Sequence, residues 1–292
     1  MSVEQLPSPP LSKHARIIYG SLVGAIVLFS AYQGDWVWAL MALMSFFIGF
    51  WELYAMMLVR NIQPSRLISF GIGVLFYPLA YWGLERHFQL LITLGVLLTF
   101  TWMLFRKSRP SIADIGGTIV MFFYLGFLPS HAILLRNLGP GELGLKYLLL
   151  LIFAVSFSDI GAYYGGKAFG KNLLSPQISP KKTIEGLLWG SLTGLGVSLI
   201  AASIMNLPLP HAAFFGIVLP MVGVLGDLFE SLLKRDAGVK DSGTLIPGHG
   251  GVLDRTDSYI FAVVVAYYYV YWGVLQHGLA GEVLQIIKDL HF

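Results

Sequence analysis

The sequence contains no cysteine, which excludes disulfides and thiolate metal sites outright. It is also poor in charge. Only 12% of its 292 residues are Asp, Glu, Lys or Arg, against about 25% in a soluble domain. Strict apolar–polar alternation is missing, which argues against a membrane-spanning barrel, and no internal repeat or low-complexity tract is evident. The first sixteen residues are polar and Pro-rich, and the apolar run behind them lacks a small-residue cleavage site, so that run is expected to be a retained first span.

What is abundant is apolar surface. Hydrophobic residues make up 56% of the chain and the mean hydropathy is +0.71. A soluble fold of this length cannot hide that much, whereas a bilayer is itself an apolar solvent. The apolar stretches recur at spanning length and predict nine spans, at roughly 17–32, 36–59, 67–83, 88–105, 112–135, 145–166, 184–206, 211–233 and 258–277. Backbone groups in lipid must pair internally, so the expected fold class is an all-α polytopic membrane protein. The first and third runs are the shortest.

Lys and Arg set the expected orientation. With the N-terminus in the cytoplasm, four of the nineteen basic residues (Arg86, Arg136, Lys146 and Lys288) fall outside and the other fifteen inside. The expected organisation is a cytoplasmic tail (1–16), N-terminal transmembrane helices (17–135), a C-terminal transmembrane region with two cytoplasmic motif loops (136–277) and a short C-terminal tail (278–292). That last tail is read as an amphipathic segment along the outer surface. Two cytoplasmic loops, about 167–182 and 234–257, are dense in Gly, Pro, Lys, Ser and Asp.

The second loop carries the richest chemistry. Ser231–Asp257 reads SLLKRDAGVKDSGTLIPGHGGVLDRTD. Its basic residues Lys234, Arg235, Lys240 and Arg255 suit phosphate. Its glycines, Gly250 and Gly251 among them, allow close backbone approach and anion-binding turns. Asp254 and Asp257 are oxygen donors of the kind Mg²⁺ takes. A solvated, inside-positive loop would account for the lysines and arginines, but not for Pro-Gly-His249-Gly-Gly or for two aspartates entering the next span. Upstream, Asp227, Glu230, Ser231 and Lys234 share one helical face by spacing. A carboxylate at that depth costs several kcal/mol unless paired. A structural Asp227–Lys234 ion pair is the alternative to a polar cavity.

A second constellation spans 159–186. Asp159, Tyr163 and Lys167 follow one face of the sixth span, and Ser179-Pro-Lys-Lys182-Thr183-Ile-Glu185-Gly leads into the seventh. A helix start with a hydroxyl and lysines beside it is an anion site; a capped helix start with inside-positive lysines explains it as well. The Walker spacing is absent. The other histidines (14, 87, 131, 211, 277 and 291) stand singly. Glu52 reads as a buried hydrogen-bonding residue or as part of a cavity wall, and Asp114 as a helix-start acid.

The Ser231–Asp257 run resembles the signature of the phosphatidate cytidylyltransferases, or CDP-diacylglycerol synthases: Ser, any residue, a hydrophobic, Lys-Arg, four residues, Lys-Asp, a spacer, His-Gly-Gly, then Asp-Arg-x-Asp. Every fixed position is present. The Ser-Pro-Lys-Lys-Thr-Ile-Glu-Gly run and the Asp159 segment are similar too, so the resemblance covers about 145–277. Upstream it rests on hydropathy and Trp51-Glu52. It implies cytidylyl transfer from CTP to phosphatidic acid, giving CDP-diacylglycerol and pyrophosphate in phospholipid biosynthesis. It implies Mg²⁺ held by Asp227 and Asp254, with Asp257 and Asp159 as further acids, and a K⁺ as second ion. Lys234 and Arg235 are expected at the reacting phosphates. Ser179, Lys182, Thr183, Lys240, Asp241, His249, Gly250, Gly251 and Arg255 are expected to bind nucleotide. A homodimer in membrane lipid, no nucleic acid, and a bacterial inner membrane complete the expectation. A CTP-dependent lipid kinase, a cytidylyltransferase for another lipid phosphate, and a secondary transporter are the rival readings.

Overall fold

The structure is a computed structural model that describes residues 13–106, 111–248 and 250–276. The predicted amphipathic tail, 278–292, lies outside them. Ten α-helices follow in order: α1 (Lys13–Gln33), α2 (Asp35–Val59), α3 (Arg66–Tyr81), α4 (Phe88–Leu104), α5 (Ile112–Phe122), α6 (Leu128–Arg136), α7 (Leu143–Phe169), α8 (Ile184–Met205), α9 (Leu209–Asp236) and α10 (Leu253–Tyr268). A π-helical stretch, Phe123–Phe127, joins α5 to α6, and another, Tyr269–Gln276, extends α10. Each predicted span therefore coincides with one continuous helical segment. Seven segments among the described residues are long and apolar enough to cross a membrane, while Ile18–Gln33 and Arg66–Tyr81 are shorter. The 16 residues of α3 rise about 24 Å, less than a ~30 Å hydrocarbon layer.

The sequence also marks where helices stop. Gly34, at φ 66°, breaks α1 from α2, and Asn206 ends α8 in the left-handed region at φ 56° with Pro208 two residues on. The first π stretch falls where Pro129 has no N–H to give the Leu125 carbonyl four residues back, and Tyr77 Oη of α3 donates to that carbonyl at 2.7 Å.

The all-α expectation has one small exception. Between α7 and α8 the chain makes an antiparallel hairpin, β1 (Leu173–Ser175) with β2 (Ser179–Thr183), pairing Leu173 with Thr183 and Ser175 with Ser179. Glu185, in the first turn of α8, anchors its base by accepting from the Lys171 and Asn172 amides at 3.0 and 3.1 Å.

Helices α7, α8 and α9 pack through small residues. A Cβ on Gly194 of α8 would lie 2.7 Å from the Gly216 carbonyl of α9, and one on Gly216 would lie 2.5 Å from Leu195 Cα. A Cβ on Gly190 would meet the Ser158 carbonyl of α7 at 2.9 Å. Lipid supplies no hydrophobic drive between helices, so such close backbone approach is what holds them. Phe46, Phe50, Phe76, Phe122, Tyr147 and Phe215 fill the protein core. Large apolar side chains such as Leu67, Leu104 and Ile204 face outward, as a lipid-facing surface requires.

Side-chain contacts assign the helix ends to two poles. At one, Arg60 after α2 pairs with Asp236 at the end of α9 at 3.4 Å, and Arg106 after α4 meets Gln63 and Asp114. At the other, Arg136 of α6 donates to the Ala31 and Tyr32 carbonyls, and Tyr81 donates to Asp35 at 2.7 Å. Exposed Trp36 and Trp82 stand beside these last turns, where aromatic side chains favour a membrane interface. Asp114 is the predicted helix-start acid, in a reciprocal capping box with Ser111.

Candidate active site

The acids and lysines singled out in the sequence gather at the first of these poles. The last three turns of α9 carry Asp227, Glu230, Ser231 and Lys234 on one face. A Cβ on Gly226 would strike the Asp257 carbonyl, so the glycine lets α10 cross α9 directly beside Asp227. The hairpin brings Lys182 across to ion-pair with Asp227 Oδ2, while Ser231 Oγ donates to Oδ1 at 3.2 Å.

The alternative Asp227–Lys234 pair does not form. Asp227 is already paired with Lys182 from the hairpin. Lys234 instead stands 2.5 Å from Glu230 Oε2, one turn back, and 2.6 Å from Asp254 Oδ1 of α10. Glu230 is fully buried. Among the described residues, Lys234 is the only group that supports its oxygens.

Asp254 is held more tightly than any other acid here. Its Oδ2 accepts from the Ser242 amide (2.9 Å), the Ser242 hydroxyl (2.8 Å) and the Gly251 amide (2.8 Å). Gly250 sits beside it at φ +83°, and a Cβ there would approach Oδ2 to 2.5 Å. That glycine is needed both for the turn and for the space.

Asp257 is buried, and its Oδ1 accepts from the Ser258 amide at 2.7 Å. The charges of Asp227, Glu230 and Lys234 act on it. Asp159 of α7 lies within the field of Asp227, Lys182 and Arg255. Tyr259 Oη, 2.6 Å from Ser156 Oγ, ties α7 to α10 near that acid. Acids of α9 and α10 thus pair with two lysines, Lys182 from the hairpin with Asp227 and Lys234 with Glu230 and Asp254.

Other predicted residues stand at the margin. Thr183 is the N-cap of α8, its Oγ1 accepting from the Gly186 amide at 3.0 Å, so the capped helix start is what the structure contains. Arg235 turns to the hairpin and the loop, donating to the Ile178 and Val239 carbonyls at 3.4 Å each. Ser179 opens β2 half-buried, and Lys240 and Asp241 are exposed on the loop after α9. His249 lies outside the described residues. Two residues bear on the site more than their sequence context suggested. Ser242 went unmarked, although it follows Lys240-Asp241 directly. Glu52 of α2 accepts from the Val252 amide (2.9 Å), the Leu253 amide (2.8 Å) and the Ser242 hydroxyl (3.2 Å).

Among the described residues no three His, Cys, Asp or Glu side chains converge in ligating geometry. The donor chemistry nevertheless fits a hard divalent ion, since every candidate ligand is a carboxylate oxygen. Asp227 and Asp254 each already face a cation, Lys182 and Lys234 respectively. A metal at either carboxylate would compete with that ammonium group.

The model of a family described as the cytidylyltransferase family matches residues 14–272. A phosphatidate cytidylyltransferase of Synechocystis is 34% identical over 281 residues, covering 87% of this chain and 95% of that protein. One from Bacillus subtilis is 33% identical over 261 residues, covering 87% and 96%. A chloroplastic phosphatidate cytidylyltransferase of Arabidopsis thaliana is 33% identical over 296 residues, covering 90% and 75%. A match that runs from α1 through the helix carrying Asp254 and Asp257 takes in every element of the site, and the chain belongs to the cytidylyltransferase family.

Proposed function

We propose that this membrane protein transfers the cytidylyl group of CTP to phosphatidic acid, releasing pyrophosphate and leaving CDP-diacylglycerol in the bilayer. The observation that carries the reading is the gathering of Asp159, Asp227, Asp254 and Asp257 with Lys182, Lys234 and Arg255 at one pole of an apolar bundle. A polyanionic headgroup at the membrane surface needs such cations, and a metal-bound triphosphate needs such acids.

The chemistry joins two anions. A phosphate oxygen of phosphatidate forms a bond to the α-phosphorus of CTP, and the bond from that phosphorus to the bridging oxygen of pyrophosphate breaks. A phosphate monoester has its second pKa near 6, so the attacking oxygen is largely ionised at neutral pH and needs no strong base. What the protein must supply is placement and relief of repulsion. Lys182, Lys234, Arg235, Lys240 and Arg255 contribute positive charge, and Gly250 and Gly251 let the loop backbone approach closely. Asp227 and Asp254 would hold Mg²⁺, which when bound neutralises triphosphate charge and steadies what develops in transfer. The lipid would enter sideways from the leaflet next to this pole. The excess of basic residues there supports placing it in the cytoplasm, with the N-terminus on the same side.

The test is turnover of cytidine-labelled CTP with phosphatidate in detergent, with and without Mg²⁺. Label entering lipid only when the metal is present supports the reading. Phosphate transfer without cytidine would make the chain a lipid kinase, and no CTP consumption at all would favour transport.

A further inference from the structure

Helix α10 begins without a cap of its own. Its N-cap residue is Val252, whose side chain cannot accept a hydrogen bond. A helix start buried without partners for its first amides is costly. The missing acceptor comes from 200 residues away. Glu52, 9% exposed within α2, accepts from the Val252 amide through Oε1 and from the Leu253 amide through Oε2.

The loop is shaped around this one carboxylate. A Cβ on Gly243 would come within 2.6 Å of Glu52 Oε1, and one on Gly251 would strike both Glu52 and Ser242. Ser242 Oγ lies between two acids, 3.2 Å from Glu52 Oε2 and 2.8 Å from Asp254 Oδ2. Its single proton therefore couples them.

We infer that Glu52 is a positioning residue for transfer, acting through Ser242 and the start of α10 to hold Asp254. The N-terminal helices are then part of the catalytic apparatus and not only its anchor. The inference rests on Asp254 being a site residue. A carboxylate is required because two oxygens each take one N–H. Gln offers one acceptor, and its NH₂ would face an amide donor.

The experiment compares purified wild type with Glu52→Gln, Ser242→Ala and Asp254→Ala in CTP:phosphatidate turnover. Rates are taken per folded molecule, with half-saturating Mg²⁺ and thermal midpoint measured alongside. Misplacement on the scale of an ångström costs about 10- to 100-fold. Glu52→Gln is expected to lower kcat by that factor and raise half-saturating Mg²⁺ several-fold while keeping its midpoint within a few degrees. An unchanged kcat per folded molecule would overturn the inference, and so would a loss accounted for by the unfolded fraction. If Glu52→Gln does not fold, Ser242→Ala decides: a lowered kcat at a retained midpoint supports the coupling, and a normal kcat refutes it. A fully active Asp254→Ala would instead sink the reading of the site on which this one stands.

Discussion

Replacing Lys234 by Met should destabilise the protein through the acids it leaves behind. The Lys234 side chain is 10% exposed, and its two partners, Glu230 and Asp254, are 0% and 6% exposed. Removing one member of a buried pair costs about 3–5 kcal/mol, because the remaining charge has neither water nor a counter-ion. Glu230 bears most of this, since among the described residues nothing but Lys234 supports its oxygens. Asp254 keeps its three contacts from Ser242 and Gly251 and loses only a charge-assisted bond, worth about 1.5–3 kcal/mol. Changing Glu230 to Met as well removes the orphaned charge, so the double variant should recover about 2 kcal/mol of the loss. Equilibrium unfolding in mixed dodecyl sulfate–maltoside micelles, followed by circular dichroism, measures both steps. If Lys234→Met lies within about 1 kcal/mol of wild type, or if the double variant is no more stable than the single one, Glu230 is not the buried charge that this geometry makes it.

Asp227→Ala and Asp254→Ala should each lower cytidylyl transfer by about 100-fold or more while leaving membrane insertion intact. Near-normal turnover in either variant would remove that carboxylate from the site. Thr183→Ala should cost about 1 kcal/mol through the lost α8 cap, with Thr183→Ser close to wild type in the same unfolding assay. Gly216→Val should force α8 and α9 apart, since its side chain would begin 2.5 Å from Leu195 Cα. Size-exclusion chromatography in detergent should show aggregation, and a monodisperse peak at wild-type yield would contradict the close crossing.

Much of this architecture is legible without coordinates because membrane physics is local. An apolar run's backbone must pair within itself in lipid, so the predicted stretches became helices, seven of them of spanning length among the described residues. Other features escaped for reasons that are equally physical. The hairpin at 173–183 is too short to show alternation and is held partly by Glu185, a residue of the next helix. At the π turn Phe123–Phe127, the carbonyl that Pro129 leaves without a helical donor is taken up by Tyr77, 48 residues away. The alternative of an Asp227–Lys234 pair gave way because helical spacing does not show that Lys182 and Asp254 arrive from other elements to meet those two charges.

The sequence by itself determined that the chain lives in a bilayer, where its helices run, and which loops gather the acidic and basic side chains proposed to bind metal and phosphate. It could do so because solvent, length and residue chemistry act along the chain. Tertiary structure alone decided which acid meets which lysine and that Glu52 reaches the loop before α10. Those choices depend on how closely helices approach at Gly194, Gly216 and Gly226, and on which side chains that approach brings within hydrogen-bonding distance. No local pattern encodes that.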